Sequence, residues 1–158
     1  MSIEREVVVG VISDTHGSLR EDARQALIGV DRIIHAGDIG SDQLLDILES
    51  IAPVTAVRGN SDFNGRASKL PRTELVQFGQ AAVYVLHDLN ALDLDPKAAG
   101  FAAVIHGHTH RPEQQDRQGV LFFNPGSAGP RRMSLPISLG KLFIKGAKVR
   151  AEHTFLEL

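Results

Sequence analysis

Two kinds of hydrophobic pattern alternate along the first half of the chain. Residues 7–12 form a nearly continuous run of β-branched residues, which predicts a buried strand. Residues 41–50 place apolar side chains at helical spacing, and Ser41 or Asp42 can cap such a helix. The sequence predicts strands over 7–12, 32–35 and 54–57 and helices over 20–29 and 41–50. Strands and helices that alternate at this length indicate parallel strands joined by crossover helices.

The second half of the chain has a different pattern, with short apolar runs separated by turns that contain glycine. Hairpins are predicted to turn at Gly79-Gln80 and at Lys145-Gly146-Ala147, and Pro96 suits the first turn of a short helix over 95–99. The predicted strands are 74–78, 82–86, 101–105, 120–123, 137–144 and 148–156. This pattern is typical of a meander. Two sheets with helices outside would accommodate both halves in a single domain over residues 1–158.

Composition narrows the possible classes of protein. The chain of 158 residues is about the size of one ordinary domain, with 42% apolar and 23% charged residues. Because there is no cysteine, the sequence excludes disulfides, thiolate zinc sites and a cysteine nucleophile, so any metal must have nitrogen and oxygen ligands. The net charge of −2 gives no sign of a general affinity for nucleic acid or membranes. No secretory signal or membrane-spanning run is visible, so a cytoplasmic location is expected.

Residues of the types that bind metals follow five of the predicted strands. Each is an Asp, Asn or His that lies within a few positions of the strand end: Asp14, His16, Asp38, Asn60, His87, His106, His108 and His110. In open α/β sheets ligands bind at the carboxyl ends of strands, so these side chains could converge on one crevice. They exceed what one tetrahedral ion needs and suit two ions, roughly 3.5–4 Å apart, that share a carboxylate.

Three histidines at alternate positions of residues 104–110 are the most unusual part of this set. In an extended chain alternate side chains point to one side, so all three imidazoles could face the same point. The other parts are weak individually, because Gly-Asp and Gly-Asn are common turn dipeptides. The ordered set across five strand ends, rather than any single motif, therefore indicates a metal site.

The motifs at the strand ends also follow a recognisable order. They are Ser13-Asp14-Thr15-His16-Gly17, Gly37-Asp38, Gly59-Asn60-Ser61-Asp62, His87, Gly107-His108-Thr109-His110 and Asn124-Pro125-Gly126-Ser127. This order resembles that of the calcineurin-like metallophosphoesterases. It is most similar to their small single-domain bacterial and archaeal phosphodiesterases, which are related to a eukaryotic retromer scaffold subunit. The resemblance covers roughly residues 7–127 and implies an α/β fold, a four-layer α/β/β/α sandwich of two mixed β-sheets.

The resemblance also implies a ligand set for two divalent ions. Asp14, His16 and His110 would hold one ion, Asn60, His87 and His108 would hold the other, and Asp38 would bridge them. Four imidazoles with oxygen ligands suit Mn²⁺, which is the expected ion, or Zn²⁺, iron, Ni²⁺ or Co²⁺. The implied activity is hydrolysis of a small phosphate ester by attack of a metal-bound hydroxide, and a diester is the expected substrate. Asn60 would also stabilise charge on the phosphoryl oxygens.

Two positions depart from the wider family. Ser61 stands where many members carry a histidine that protonates the leaving group. We therefore expect esters with acidic leaving groups to react better than alkyl esters. Asp88 stands where many members carry glycine, and it could either orient His87 or face solvent.

Several further residues are candidates for supporting or substrate-binding roles, each with a plainer alternative. Asp62 could partner a ligand histidine or Arg58, or be a turn residue, and Arg58 could instead pair with a phosphate. His35 could brace the site or be a buried histidine with satisfied hydrogen bonds. His106 could face the substrate or be a hydrogen-bonded residue at a strand end, which is the preferred interpretation. Arg131 and Arg132 could meet an anionic substrate, although charged turn residues are usually only solvated.

Two other functions remain open at this point. The chain could be a metal-binding scaffold or interaction module with vestigial catalysis, as the missing general acid and the similarity to the retromer subunit suggest. It could also be a nuclease, which the acidic balance and the lack of accessory DNA-binding segments disfavour. A homodimer or homotetramer is compatible with the predicted strand edges.

Overall fold

Two five-stranded β-sheets face each other in the computed structural model, which describes residues 5–156. In the first sheet three parallel strands lie beside an antiparallel hairpin. Its strands are β1 (Val7–Ile12), β2 (Arg32–His35), β3 (Val54–Ala56), β9 (Ser138–Lys145) and β10 (Lys148–Phe155), in the order β10-β9-β1-β2-β3. The predicted parallel unit in the first half and the predicted terminal hairpin are therefore both present, and the hairpin extends the same sheet.

Two helices connect the parallel strands of the first sheet. They are α1 (Glu21–Leu27) and α2 (Asp42–Ile51). The hydroxyl of Ser41 caps α2 by accepting a hydrogen bond from the N–H of Leu44 at 3.2 Å, as the sequence predicts. Helix α1 is shorter than predicted and ends at Leu27, two residues before Gly29, whose φ of +92° belongs to the left-handed region.

The second sheet corrects the prediction of a meander. Its strands are β4 (Thr73–Phe78), β5 (Ala81–Leu86), β6 (Ala103–Ile105), β7 (Pro112–Arg117) and β8 (Val120–Pro125), in the order β4-β5-β6-β8-β7. The three central strands β5, β6 and β8 are parallel, and only the two edge strands are antiparallel to their neighbours. The sequence pattern missed β7 because this edge strand is exposed along most of its length and has no alternation of apolar residues.

The predicted helix over 95–99 is wrong, because this segment makes a single hydrogen-bonded turn. Asp95 begins the turn by accepting a hydrogen bond from the N–H of Lys97 at 3.1 Å, and the N–H of Ala99 donates to the carbonyl of Asp95. Gly100, with a φ of +80°, ends the turn before a second helical turn can form. Short 3₁₀ helices that the sequence did not reveal occupy Arg66–Lys69 and Leu89–Ala91.

Three apolar layers hold this arrangement together. Val9, Val11, Val83 and Ile105 belong to the layer between the two sheets. A second layer packs α1 and α2 against the outer face of the first sheet. The third layer, on the outer face of the second sheet, is covered by the 3₁₀ helix Leu89–Ala91 and by Phe101, whose ring stacks on Tyr84 at 5.0 Å. The predicted two-sheet α/β sandwich is confirmed, with turns forming much of its fourth layer.

No helix within residues 5–156 is both long and apolar enough to cross a membrane.

Leu27 offers a test of the helix layer, because its buried side chain lies between α1 and Gly10 of β1. Leu27→Ala removes this contact and leaves a cavity, so the free energy of unfolding should fall by about 2–5 kcal/mol. The adjacent Ile28 is 58% exposed, and Ile28→Ala should change the same quantity by only about 0.5 kcal/mol. Urea unfolding followed by circular dichroism measures both, and equal losses would contradict the packing described.

Candidate metal centre

Loops at one end of both sheets carry all seven predicted ligands. The ladder between β1 and β2 continues into these loops, where the N–H groups of Asp14 and His16 donate to the carbonyls of Gly37 and Asp38, each at 3.0 Å. In the second sheet the N–H of Gly107 donates to the carbonyl of His87 at 2.9 Å. Parallel strands with adjacent ends therefore bring the ligand-bearing loops together, as the positions of the motifs predict.

Two overlapping groups of side chains have the composition of a metal site. Asp14, His16 and His110 have ligand atoms within 4.8 Å of one another, and so do Asp14, Asp38 and His87. Oδ2 of Asp38 lies 3.3 Å from Nε2 of His87 and 3.7 Å from Nε2 of His16. Asp38 therefore reaches an imidazole of each predicted ligand set, which is the position that a bridging carboxylate requires.

Unpartnered polar atoms concentrate in this site. Within residues 5–156 four buried side-chain polar atoms lack a hydrogen bond, and three of them are Oδ1 of Asp14, Nε2 of His16 and Nδ1 of His110. A buried polar atom without a partner costs about 1–3 kcal/mol, so a native structure rarely collects three of them in one place. Oδ1 of Asp14 and Nε2 of His16 are ligand types for divalent transition metals, so a bound cation would satisfy both. In His110 the nitrogen that faces this position is Nε2, which lies 3.4 Å from Oδ1 of Asp14.

His87 is held with one nitrogen directed into the site. Its Nδ1 donates to the carbonyl of Ala36 at 2.8 Å, and its Nε2 lies 2.9 Å from Oδ1 of Asn60. Nδ1 of His108 lies 3.1 Å from the same amide oxygen, so the three residues predicted to hold one ion converge on a single point. Without a cation these contacts require a proton on Nε2 of His87. Burial lowers the pKa of His87, but its hydrogen bond with Asp38 and the charges of Asp14 and Asp38 outweigh it and raise the pKa.

The two carboxylates remain ionised although they are buried. Burial works to raise the pKa of Asp14, but the close approach of His110 to Oδ1, the hydrogen bond from Ser13 and the charge of His87 hold it below its ordinary value. Burial likewise works to raise the pKa of Asp38, yet hydrogen bonds from His87 and Ser61 hold it far below its usual range. Two adjacent buried carboxylates that stay ionised beside imidazole nitrogens are therefore a candidate site for divalent cations.

Five of the candidate ligands have a backbone conformation that non-glycine residues rarely adopt. Their φ angles lie between +49° and +72° in Asp14, His16, Asp38, His108 and His110. Such residues cost about 1–3 kcal/mol each and persist only where the surrounding structure fixes them. Gly59 and Gly107 allow the close packing that does so, because a Cβ would collide with Asp38 at one and with Ser13 at the other.

Asp62 joins two of the ligand loops through its carboxylate. Oδ2 accepts hydrogen bonds from the N–H groups of Asp38 (3.0 Å) and Gly59 (2.8 Å). Oδ1 accepts from Ile39 at 2.9 Å and Gly40 at 3.3 Å. Asp62 thus binds backbone amides, whereas the sequence suggested a ligand histidine or Arg58 as its partner. Its contact with Arg58 runs through the backbone carbonyl of Asp62, which accepts from Nε of Arg58 at 3.1 Å.

His35 links two ligand loops from a position behind the ligands. Its Nδ1 accepts from the N–H of Gly37 at 3.0 Å, so its Nε2 carries the proton and donates to the hydroxyl of Thr15 at 2.9 Å. Thr15 in turn donates to the carbonyl of Ile39. Burial lowers the pKa of His35 to about 4, which agrees with a neutral ring. His35 is therefore a buried and satisfied histidine that also braces the site, so both sequence-based interpretations describe it.

The other candidates lie at the margin of the site. Asp88 lies beside His108, and its Oδ2 is 3.9 Å from Nε2 of that ring. His87 donates instead to the carbonyl of Ala36. His106 follows β6 on the same face as Val104 and lies near Arg117 and Asp88. Burial first, and then the charge of Arg117, lower its pKa to about 4. His106 thus faces the outer side of the second sheet, while His108 and His110 enter the site.

Arg131 and Arg132 are exposed in the loop that follows Gly129. Gly129 packs against the backbone of Asp14 and Thr15, so this loop begins beside the site.

The sequence suggests that residues 124–127 shape a loop beside the metals, but it does not show which groups the side chains bind. Oγ of Ser13 donates to Oδ2 of Asp14 at 2.6 Å, and Oγ of Ser127 donates to the carbonyl of Asp14 at 3.0 Å. Nδ2 of Asn124 donates to the carbonyl of Gly107 at 3.0 Å and to the hydroxyl of Thr109 at 3.1 Å. These residues belong to the quoted motifs, so the motifs could have revealed them. His153, whose Nε2 lies 2.8 Å from the carbonyl of Asn124, had no such signal.

Replacing Asp62 tests whether its carboxylate fixes the ligand loops. In Asp62→Asn one acceptor becomes an NH₂ group that faces backbone N–H groups, so the free energy of unfolding should fall by about 3 kcal/mol. Metal affinity, measured by calorimetric titration, should fall with it. Asp116→Asn is the matched control, because Asp116 accepts one amide hydrogen bond in an exposed turn and should cost less than about 1 kcal/mol. Similar losses in the two variants would contradict the role of Asp62.

The low pKa of His35 predicts a specific pH dependence. Between pH 6.5 and about 4 the unfolded chain binds a proton that the native ring does not, so the contribution of His35 to stability is complete above pH 6.5 and declines below it. The decline should approach about 3 kcal/mol. Urea unfolding of EDTA-treated protein should show a difference between parent and His35→Gln that narrows as the pH falls. A difference that stays constant from pH 7 to 4.5 would show that His35 is not responsible.

Comparisons with known proteins agree with this geometry. Residues 7–145 match the family model of the calcineurin-like phosphoesterase superfamily domain. A probable metallophosphoesterase from Methanocaldococcus jannaschii is 35% identical over 152 residues, covering 88% of this chain and 77% of its own length. Another from Methanothermobacter thermautotrophicus is 34% identical and covers 92% of this chain and 91% of its own.

A solved structure shares the fold. Vacuolar protein sorting 29 from Cryptosporidium parvum superposes with a TM-score of 0.76 at 20% identity, over 97% of this chain and 99% of that one. The family match spans most of the chain, and the two archaeal relatives exceed 30% identity over most of its length. The chain therefore belongs to the calcineurin-like phosphoesterase superfamily and is a metallophosphoesterase homologue that carries candidate metal ligands.

Proposed function

We propose that this protein is a phosphodiesterase that binds two divalent metal ions, with Mn²⁺ as the activating ion, and hydrolyses small phosphate esters. The observation that carries the proposal is a buried site with two ionised carboxylates in which two ligand atoms, Oδ1 of Asp14 and Nε2 of His16, lack a partner. This arrangement costs free energy while its atoms lack partners, and bound cations would recover that cost. A protein without metal chemistry would have no physical reason to maintain it.

The donor set fits the proposed ions. Asp14, His16 and His110 would hold one ion, and Asn60, His87 and His108 would hold the other. Asp38, whose Oδ2 lies within 3.7 Å of both His16 and His87, would contribute to both ions. Imidazole nitrogens mixed with carboxylate and amide oxygens favour Mn²⁺, Zn²⁺, iron, Ni²⁺ or Co²⁺ over Mg²⁺ or Ca²⁺. Bound ions of this kind supply an acidified water and neutralise charge on the phosphoryl oxygens.

The chain itself supplies position and orientation. The carbonyl of Ala36 fixes the tautomer of His87, which leaves Nε2 directed into the site. The backbone N–H of Ser61 donates to Oδ1 of Asp38 at 2.9 Å and leaves Oδ2 for the site. Asn60 is exposed, so its amide NH₂ can donate to a phosphoryl oxygen of a bound ester.

The absence of an acid at position 61 limits the range of good substrates. Ser61 is a weak acid and, through its backbone, serves to position Asp38. A leaving group that departs without a proton must have a low pKa, so aryl esters should react faster than alkyl esters. His108 is 40% exposed and Asn60 is also exposed, so the site is open to a small soluble ester.

Hydrolysis of bis-p-nitrophenyl phosphate tests the proposal. Metal-stripped protein should be inactive, and addition of Mn²⁺ should restore turnover of the diester at a higher kcat/KM than that of p-nitrophenyl phosphate. Asp38→Asn removes the proposed bridging charge and should lower kcat/KM by at least about 100-fold, as the loss of a group that stabilises the transition state does. Asp46→Asn, a surface substitution on α2, is the matched control and should retain the parent rate.

Calorimetric titration with Mn²⁺ distinguishes the possible reasons for failure. Protein that binds two ions yet turns over no ester with any of the five metals would overturn the enzymatic proposal and favour a metal-binding scaffold. Protein that binds a single ion, or none, would overturn the proposed ligand assignment.

A further inference from the structure

A small pocket beside the candidate metal centre contains arginine side chains to which the proposed mechanism gives no role. It has a volume of about 210 Å³ and is lined in part by Asn60 and His87, so it opens directly from the metal-binding side chains. We call it the arginine pocket, after the two arginines in its wall. Its wall also includes Arg58, Arg72, Thr73 and Asp88.

Both arginines retain free hydrogen-bond donors. Arg58 is half-buried, and its Nε donates to the backbone carbonyl of Asp62, which leaves its terminal nitrogens without a partner among residues 5–156. The backbone N–H of Arg58 donates to the carbonyl of Pro71 at 2.8 Å, which brings Arg72 to the same pocket. Arg72 is exposed and has no ion pair or side-chain hydrogen bond in the described part of the chain.

The one carboxylate that lines the pocket does not neutralise these arginines. Oδ1 of Asp88 accepts from the N–H of Asn90 at 3.0 Å, and its Oδ2 lies 3.9 Å from His108. No ion pair joins Asp88 to Arg58 or Arg72. The pocket therefore presents two guanidinium groups against one carboxylate, and its charge favours an anion.

We propose that the arginine pocket binds an anionic group, a carboxylate or a phosphate, on one ester arm of the substrate. This inference rests on the proposed function, since it assigns a substrate class to the same site. Guanidinium groups match carboxylate and phosphate in geometry as well as charge. The pocket is smaller than the roughly 300–1,000 Å³ of a site that encloses a whole ligand, so it receives only one arm. The phosphorus then lies at the metal centre, and the second arm faces solvent.

A matched pair of chromogenic diesters tests this assignment. Both carry p-nitrophenyl on one arm, and the other arm is 4-carboxyphenyl in the first ester and the neutral 4-carbamoylphenyl in the second. At pH 7.5 with Mn²⁺ the acid should have a kcat/KM about tenfold above that of the amide, the effect of one charge-assisted hydrogen bond. The difference should lie in KM, because the pocket binds the arm equally in the ground state and the transition state.

Arg72 is the residue to replace, because Arg58 also holds the loop of Asp62. In Arg72→Gln the acid-to-amide ratio should fall to about 1, and Arg72→Lys should restore part of it. Arg24→Gln is the control, since Arg24 is an exposed arginine on α1, paired with Glu21, and its loss removes the same charge elsewhere. That variant should keep the tenfold ratio. A parent ratio near 1, or an equal fall in Arg24→Gln, would overturn the pocket assignment and leave the phosphodiesterase proposal standing.

Failure of the proposed function gives a different result. If neither ester is hydrolysed with any ion, both are titrated by calorimetry into EDTA-treated protein, where the pocket alone provides the preference. Tighter binding of the acid that is lost in Arg72→Gln would support the anion pocket without catalysis. Equal binding of the two esters would overturn it.

Discussion

The structure depends on the burial of two carboxylates, Asp14 and Asp38, within reach of the same imidazole. Each carboxylate divides its oxygens between two tasks. One oxygen is fixed by the protein, through Ser13 and the N–H of His108 for Asp14, and through the N–H of Ser61 for Asp38. The other oxygen is directed at the histidines of the site. The fixed oxygens keep both groups ionised in a buried place, and the free oxygens provide the concentrated negative charge that a divalent cation requires.

Holding these charges in place imposes strain that the rest of the fold must balance. Five candidate ligands have left-handed backbone conformations, which would relax if the loops were isolated. The ladder between β1 and β2 continues past the strand ends into these loops and fixes one side of them. The carboxylate of Asp62 and the ring of His35 fix the other side from positions that no substrate would touch. The ligand loops are therefore held by residues that lie behind the ligands.

Membership of a broad superfamily does not specify the substrate, and the arrangement of the site explains why. The candidate metal ligands lie on loops that the two sheets position, so the fold accounts for their placement. The arginine pocket adds two residues outside that set, Arg58 and Arg72, which meet because the N–H of Arg58 donates to the carbonyl of Pro71. Substrate preference in such a site would depend on side chains beside the metals rather than on the metals themselves.

Residue patterns alone predicted the parallel unit of the first sheet, the cap of α2 and the alignment of ligand types at strand ends. These features can be predicted locally, because apolar runs, caps and turns each depend on a few neighbouring residues. Edge strand β7 carried no such signal, because both of its faces are exposed and its polar residues show no apolar pattern. The parallel order of β5, β6 and β8 was also missed, because the intervening segments form turns and an edge strand rather than crossover helices.

The sequence by itself determined the family, the two-sheet sandwich and the residues that could bind metal, because these are carried by residue types in a fixed order. Only the tertiary structure decided that His106 faces outward, that Asp62 binds backbone amides and that Asp88 lies beside His108. Each of these depends on contacts between distant parts of the chain, as when the N–H of His108 binds Asp14 across 94 residues. Such contacts follow from how strands stack and how loops meet at their ends, and no short stretch of sequence encodes that geometry.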